Sequence, residues 1–282
     1  MFFHLKSQPV MQAPAQADEQ CADLEVVSLL LNNTLKGPAE MWEDLVRKRK
    51  LGYSALVRNL WNILVAAPNL VEEVVDALTD ERLIKYAGVL PFEFFEAVAV
   101  FEKDPPHGAL RALAAISEAI DLSLANIPRF KGRTLMVMDG SMRGAPLKLG
   151  CYVAAVMAKT NVAEVIVVGE DSKVVSLDWR ESTISVSRRL QSLCVAGGAK
   201  FNRLFQRANR SYDRVVILSN QQAWEAIQAP FAEWKQRING SPKVYSFDLG
   251  DSGVLRFPQP DVHCFAGWSE EALETMQLLE SE

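Results

Sequence analysis

What this sequence has little of narrows its class before any motif is read. Its four cysteines, Cys21, Cys151, Cys194 and Cys264, are scattered and form no CxxC pair. That pattern argues against a disulfide framework and predicts buried free thiols in a reducing, cytoplasmic compartment. The three histidines, His4, His107 and His263, lie far apart, and none has the spacing of a zinc pair. No apolar run reaches the roughly 18–20 residues of a membrane helix, so no membrane association is expected. The opening Met1-Phe2-Phe3-His4-Leu5-Lys6 lacks a charged leader and a long apolar centre, and no signal peptide is expected. There is no GxSxG elbow, no Walker loop and no Rossmann glycine fingerprint. The expectation is therefore a non-enzyme with no cofactor and no small-molecule substrate. A net charge of −5 argues against an overall electrostatic embrace of nucleic acid, but leaves room for a local basic patch.

What is present is enough chain for two ordinary domains: 282 residues, 49% of them apolar. Residues 1–20 hold Pro9, Pro14 and several Gln and Ala with no sustained period, and read as a flexible arm. Residues 21–127 read as helix throughout. Segments are expected at 23–31, at 39–50 with Pro38 at its start, and at 53–66, where Leu56, Leu60, Ile63 and Leu64 recur at helical spacing. More follow at 70–78, at 80–87 capped by Thr79, at 91–101 and at 108–126. Short helices joined by short turns pack as antiparallel pairs, so the expected architecture is a stack of HEAT-like hairpins.

At Ile127-Pro128-Arg129-Phe130-Lys131-Gly132-Arg133 the pattern changes. From residue 128 to 282 strands and helices alternate, beginning with Thr134-Leu135-Met136-Val137-Met138. Further strands are expected at 164–168, 173–177, 213–218, 243–247 and 262–265. Helices are expected at 146–159, 185–194, 200–209, 223–236 and 270–279. Apolar strands alternating with helices predict a doubly wound, mostly parallel sheet covered on both faces. The fold class is thus α followed by α/β. Such sheets bind ligands at the carboxyl ends of their strands, which singles out the loops after Met138, Cys194 and Leu218.

Those loops carry a resemblance. Asp139-Gly140-Ser141-Met142-Arg143-Gly144, followed by a helix opening Pro146-Leu147-Lys148-Leu149, resembles the first loop of von Willebrand A domains. Gly197-Gly198-Ala199-Lys200-Phe201-Asn202 resembles the second, and Val216 to Trp224 the third. Upstream, Arg58-Asn59-Leu60-Trp61-Asn62-Ile63-Leu64 and Val89-Leu90-Pro91-Phe92-Glu93-Phe94 resemble parts of the TROVE module of Ro-type RNA-binding proteins. Phe265-Ala266-Gly267-Trp268-Ser269-Glu270 is similar to the closing strand and helix of that family. The resemblance implies a HEAT-like arc joined to a von Willebrand A-like domain, with RNA as partner. The family ring is several times larger than the helical part here, so an open arc is expected, any ring requiring several subunits.

The departures from the family also carry information. The resemblance implies a metal site built from an Asp-x-Ser-x-Ser loop, a Thr from the second loop and an Asp from the third. A hard cation such as Mg²⁺ needs about six oxygens in octahedral array. In this sequence the first loop is two residues short, leaving Asp139 and Ser141. Ala199 stands where Thr is usual, and Asn220 where Asp is usual. Asp139, Ser141 and Asn220 are therefore read as a vestigial site that holds no metal, with Asp139 accepting backbone N–H bonds or capping the next helix.

Two basic clusters are candidate RNA-phosphate contacts. Arg47, Lys48, Arg49 and Lys50 close a predicted helix, where cations also complement the helix dipole, and Arg58 lies a turn or two further on. Lys200, Arg203, Arg207 and Arg210 fall within about 80° on one helix surface. Phe201, Leu204, Phe205 and Ala208 form a separate stripe that must face the sheet. Trp61, Phe201 and Phe205 could stack on bases, but at helical spacing they read first as core. The leading expectation is a non-catalytic Ro-like RNA-binding or ribonucleoprotein scaffold. The alternative is a protein–protein assembly subunit that keeps the fold without metal or RNA.

Overall fold

The structure, a computed structural model, describes residues 37–194, 197–220, 228–250 and 262–281. The expected arm at 1–20, the helix at 23–31, and residues 221–224 of the third loop lie outside the described residues.

Six α-helices come first: α1 Pro38–Arg47, α2 Tyr53–Ala66, α3 Val71–Leu78, α4 Glu81–Ala87, α5 Phe95–Lys103 and α6 Ala109–Ser123. Pro38 opens α1 at the position where a missing N–H costs nothing, with Glu40 in its first turn and Arg47 in its last. The start of α4 corrects the expected cap. Asp80, rather than Thr79, accepts from the backbone N–H groups of Arg82 and Leu83. The Thr79 hydroxyl instead donates back to Val75 O at 3.0 Å. A carboxylate outcompetes a hydroxyl for the exposed amide dipoles. Helix α4 ends on Gly88 at φ +65°, a left-handed conformation that glycine adopts without strain. The expected helix at 91–101 is divided, with Pro91–Phe94 forming a 3₁₀ turn ahead of α5.

The helices do not stack simply in sequence. Helix α6 packs on α3 and α4, while α2 packs on α5 as well as on α1. The centre is filled by Leu60, Ile63, Leu64, Val74, Phe94 and Ile116, all essentially inaccessible.

The second half is a six-stranded sheet in the order β3-β2-β1-β4-β5-β6. Its strands are β1 Thr134–Asp139, β2 Glu164–Val168, β3 Lys173–Val175, β4 Arg214–Ser219, β5 Lys243–Asp248 and β6 Val262–Ala266. All neighbours are parallel except β3, a short antiparallel edge beside β2. Its helices are α7 Gly144–Asn161, α8 Thr183–Leu193, α9 Phe201–Arg207, α10 Gln228–Ile238 and α11 Glu271–Ser281. Strand alternation divides the core into two. Leu135, Val137, Ile166 and Ile217 meet α9 and α10 on one face. Met136, Met138, Val165 and Val216 meet α7, α8 and α11 on the other.

The first six helices pack on that second face, and their core is continuous with it. Tyr152 Oη on α7 donates to Pro91 O at 2.6 Å. Phe92 sits 4.9 Å from the Trp268 ring, between centroids. Asp121 Oδ1, at the end of α6, accepts from Lys159 Nζ at 2.8 Å and from Thr183 Oγ1 at 2.6 Å. Helices give way to alternating strands and helices after Asn126, and the two halves share one hydrophobic interior.

Candidate functional site

The carboxyl edge of the sheet brings the three loops together. Asp139, Ser219 and Asp248 end the adjacent strands β1, β4 and β5, and each is buried. Asp139 Oδ1 accepts from Ser141 N at 2.8 Å and Ser141 Oγ at 2.6 Å, while Oδ2 accepts from Ser219 Oγ at 2.8 Å. The carboxylate thus stitches its own turn to the neighbouring strand. Gly140 is forced by a close backbone approach: a Cβ there would sit 2.9 Å from Val168 O. Ala199 is buried in the core cluster that holds Phe201, Leu204 and Phe205 of α9. Asn220 lies against the loop after β5, where a Cβ on Gly250 would meet its Cβ at 2.8 Å. Asp248 Oδ1 accepts from Gly250 N at 3.0 Å. Among the described residues, no three His, Cys, Asp or Glu side chains converge as a cation site.

Beside this edge lies a cavity of about 230 Å³ bordered by Gly140, Gly169, Glu170, Asp171, Leu193 and Gly197. Its lining carries two carboxylates and one cation, Lys173, so it concentrates no positive charge for a phosphate.

The helix expected at 200–209 is shorter: α9 carries Arg203 and Arg207, Lys200 precedes it and Arg210 lies beyond its end, while Phe201, Leu204 and Phe205 are buried against the sheet. The acids that pair with these cations come from elsewhere in the fold. Arg203 Nη1 donates to Glu170 O at 2.8 Å and lies 3.8 Å from Asp171, and Arg207 lies 3.7 Å from the same carboxylate. Arg210 pairs with Glu164 at 3.4 Å. Lys200 is exposed, its backbone N–H tied to Gly169 O at 2.9 Å. In the first cluster Arg47 pairs with Glu43 and Glu73, and Lys48 with Asp44 at 3.0 Å. Arg49, at φ +50°, is exposed, as are Lys50 and Arg58. The two clusters do not meet. One belongs to the helices covering one face of the sheet, and the other lies on α9, on the opposite face. Of the three aromatics, Phe201 and Phe205 are core, while Trp61 is partly exposed and donates its Nε1–H to Asp104 O at 2.7 Å.

Residues 28–145 match the TROVE domain family. The chain thus carries a segment similar to the TROVE domain. The TROVE segment runs past the last helix of the first half and includes β1 and the Asp139 loop. Over 93% of its length the chain superposes on the crystal structure of the Deinococcus radiodurans RO (RSR) protein, with a TM-score of 0.71 and 18% identity. It spans 60% of that protein. No curated protein matches it. The two segments that carry the resemblance at Phe92 and Trp268 touch, their rings 4.9 Å apart and tilted by 59°.

Sequence reasoning missed Ser219 and Asp248, because nothing in a single sequence says which strands are neighbours. It also missed Glu164, Glu170 and Asp171 as partners of the α9 stripe. The acid-free run on α9 was legible, but the acids facing it belong to β2 and the loop after it.

Proposed function

We propose that this chain is a Ro-type, non-catalytic RNA-binding scaffold of a cytoplasmic ribonucleoprotein. The observation that carries this reading is the TROVE segment at 28–145, joined to a fold that matches a Ro protein over 93% of the chain. RNA phosphates are contacted by Lys200, Arg203, Arg207 and Arg210, with Arg49, Lys50 and Arg58 as a second surface on the opposite face. The pairing of Arg203, Arg207 and Arg210 does not block this. Their side chains are 45%, 55% and 67% exposed, and the pairs are 3.4–3.8 Å long. Exposed pairs of this kind contribute roughly 0–1 kcal/mol, so an incoming phosphate can exchange with the carboxylate.

The binding needs no Mg²⁺. Asp139 already has both oxygens engaged, Ala199 offers no oxygen, and Asn220 brings no charge. These residues do not fit an octahedral cage. With six described helices in a filled cluster, any ring would require several copies.

The test is RNA binding by the full chain across a salt series. Each phosphate contact on a single strand contributes a slope of about −0.7 in log affinity against log salt. Replacing Lys200, Arg203, Arg207 and Arg210 by Ala should flatten the slope by about 3. A second reading, a protein–protein assembly subunit, is favoured by the ion pairing of both clusters. It predicts no RNA binding even at low salt, together with a stable oligomer by light scattering.

A further inference from the structure

The loop between β3 and α8 presents an aromatic ring to solvent. Trp179 is 43% exposed. It stands in a tight turn that is pinned from both sides. Asp178 O accepts from Glu181 N at 3.0 Å, and Asp178 Oδ1 accepts from Arg180 N at 3.0 Å. Glu181 O then accepts from Lys159 Nζ at 2.6 Å, and the Glu181 carboxylate holds Arg189 at 2.6 Å. The turn is built from Asp178 and backbone, so nothing in its bonding requires an indole at position 179.

Trp179 lines a cleft of about 470 Å³ where the two halves of the chain meet. That volume falls within the roughly 300–1,000 Å³ of ligand clefts. Leu122 and Leu124, after α6, and the exposed Val162, after α7, give it apolar walls. Its charges come in two kinds. Lys159 and Asp121 neutralise each other at 2.8 Å. Arg129 and Glu81, both exposed at the cleft, make no ion pair among the described residues. Arg129 belongs to the connector between the halves, whose Lys131 and Arg133 are exposed as well. Phe130 N, bonded to Asn161 Oδ1 at 2.9 Å, holds that connector against the end of α7. The basic stripe reaches the same edge of the sheet. Arg210 pairs with Glu164, the first residue of β2 and only two positions beyond Val162.

We propose that this cleft takes one unpaired base of a bound single-stranded RNA, stacked on Trp179, with the adjoining phosphate on Arg129. The inference rests on the RNA reading above and adds a base-binding site to it. Lys131, Arg133 and Arg210 continue the phosphate path from the cleft towards α9. Stacking on the indole tolerates any base, because every base has a π-face. Glu81 is more selective. Its carboxylate accepts from an exocyclic amino group such as cytosine N4, but meets the O4 of uracil as acceptor against acceptor. Cytosine is therefore favoured over uracil, a ring of the same size.

The test is binding of oligocytidylate and oligouridylate of equal length to the full chain, followed by tryptophan fluorescence over a salt series. The unaltered chain should bind oligocytidylate more tightly and lose part of its emission on binding. Trp179→Ala should weaken that binding roughly tenfold with the salt slope unchanged. Should that variant fold poorly, Trp179→Phe keeps a ring, and should bind nearly as well as the parent with less quenching. Arg129→Ala should flatten the slope by about 0.7. Equal affinity for the two oligonucleotides would overturn the assignment to Glu81. Unchanged affinity and quenching in Trp179→Ala, with the slope still reduced by replacing the α9 cations, would overturn the cleft and leave the RNA reading in place. No binding of either oligonucleotide by the unaltered chain would overturn both.

Discussion

At the scale of single residues, Asp139 is the clearest case of a group whose type was legible but whose role needed the fold. Its place at the end of a strand and the missing oxygens at Ala199 and Asn220 can be read directly from the sequence. Its bond to Ser219 cannot, because that bond depends on β1 and β4 being neighbours although residues 139 and 219 are 80 positions apart. The carboxylate is a structural acceptor for two hydroxyls and an amide. Asp139→Ala removes it and leaves buried donors unmatched, which should lower unfolding stability by about 2–3 kcal/mol. Millimolar Mg²⁺ should leave the melting temperature of the unaltered protein unchanged. A ligand at a hundred times its dissociation constant would add about 2.7 kcal/mol. A Mg²⁺-dependent rise in melting temperature that Asp139→Ala abolishes would show a working cation site.

Elements were legible where periodicity is strong and blurred where tertiary pairing decides. The long α7 and the apolar strands β1, β2 and β4 stand close to where the pattern puts them. The third strand was readable as a strand but not as antiparallel, since three residues of β pattern carry no direction. Helix α11 was expected from its spacing, yet its anchor was not visible. Arg214, only 1% exposed, reaches Glu280 through two bonds, Nε–Oε1 at 3.0 Å and Nη2–Oε2 at 2.8 Å. The same guanidinium donates to Thr134 Oγ1 and Lys131 O and lies over the Phe130 ring. Tyr245 Oη donates to Glu280 as well.

Burial alone would raise Glu280. Hydrogen bonds from Arg214 and Tyr245, with the charges of Arg214 and Lys243, outweigh it and bring the pKa below the ordinary 4.5. A folded pKa below the unfolded one means the contribution is complete above about pH 4.5 and is lost as pH falls through the folded value. Glu280→Gln should therefore cost on the order of 3 kcal/mol at pH 7, because it leaves a buried guanidinium without its counter-charge. The gap between variant and parent, measured by urea unfolding, should shrink as pH drops from 5 towards 3. A gap independent of pH would show that Arg214 draws its compensation from elsewhere.

For the molecule as a whole, the sequence divides at residue 128, but the interior does not. Phe92, Tyr152, Trp268 and the Asp121–Lys159–Thr183 cluster join the two halves, and one apolar core runs through both. This continuity was not legible, because helical periodicity shows that a face is apolar without showing what covers it. Unfolding should accordingly be a single cooperative transition by calorimetry and by fluorescence. The segment 128–282 alone should expose its α7–α8 face and associate. Two separate transitions, with the second half stable by itself, would contradict a shared core.

The proposed RNA contact rests on the exposed cations of α9 and its ends, and the proposed independence from Mg²⁺ on Asp139, Ala199 and Asn220. The most direct measurement is equilibrium binding of single-stranded RNA to the full chain, over a salt series, with and without chelator. The account predicts binding that weakens steeply with salt, does not change with chelator, and loses about 3 in slope when Lys200, Arg203, Arg207 and Arg210 become Ala. No binding at low salt, or binding that requires a divalent cation, would contradict it.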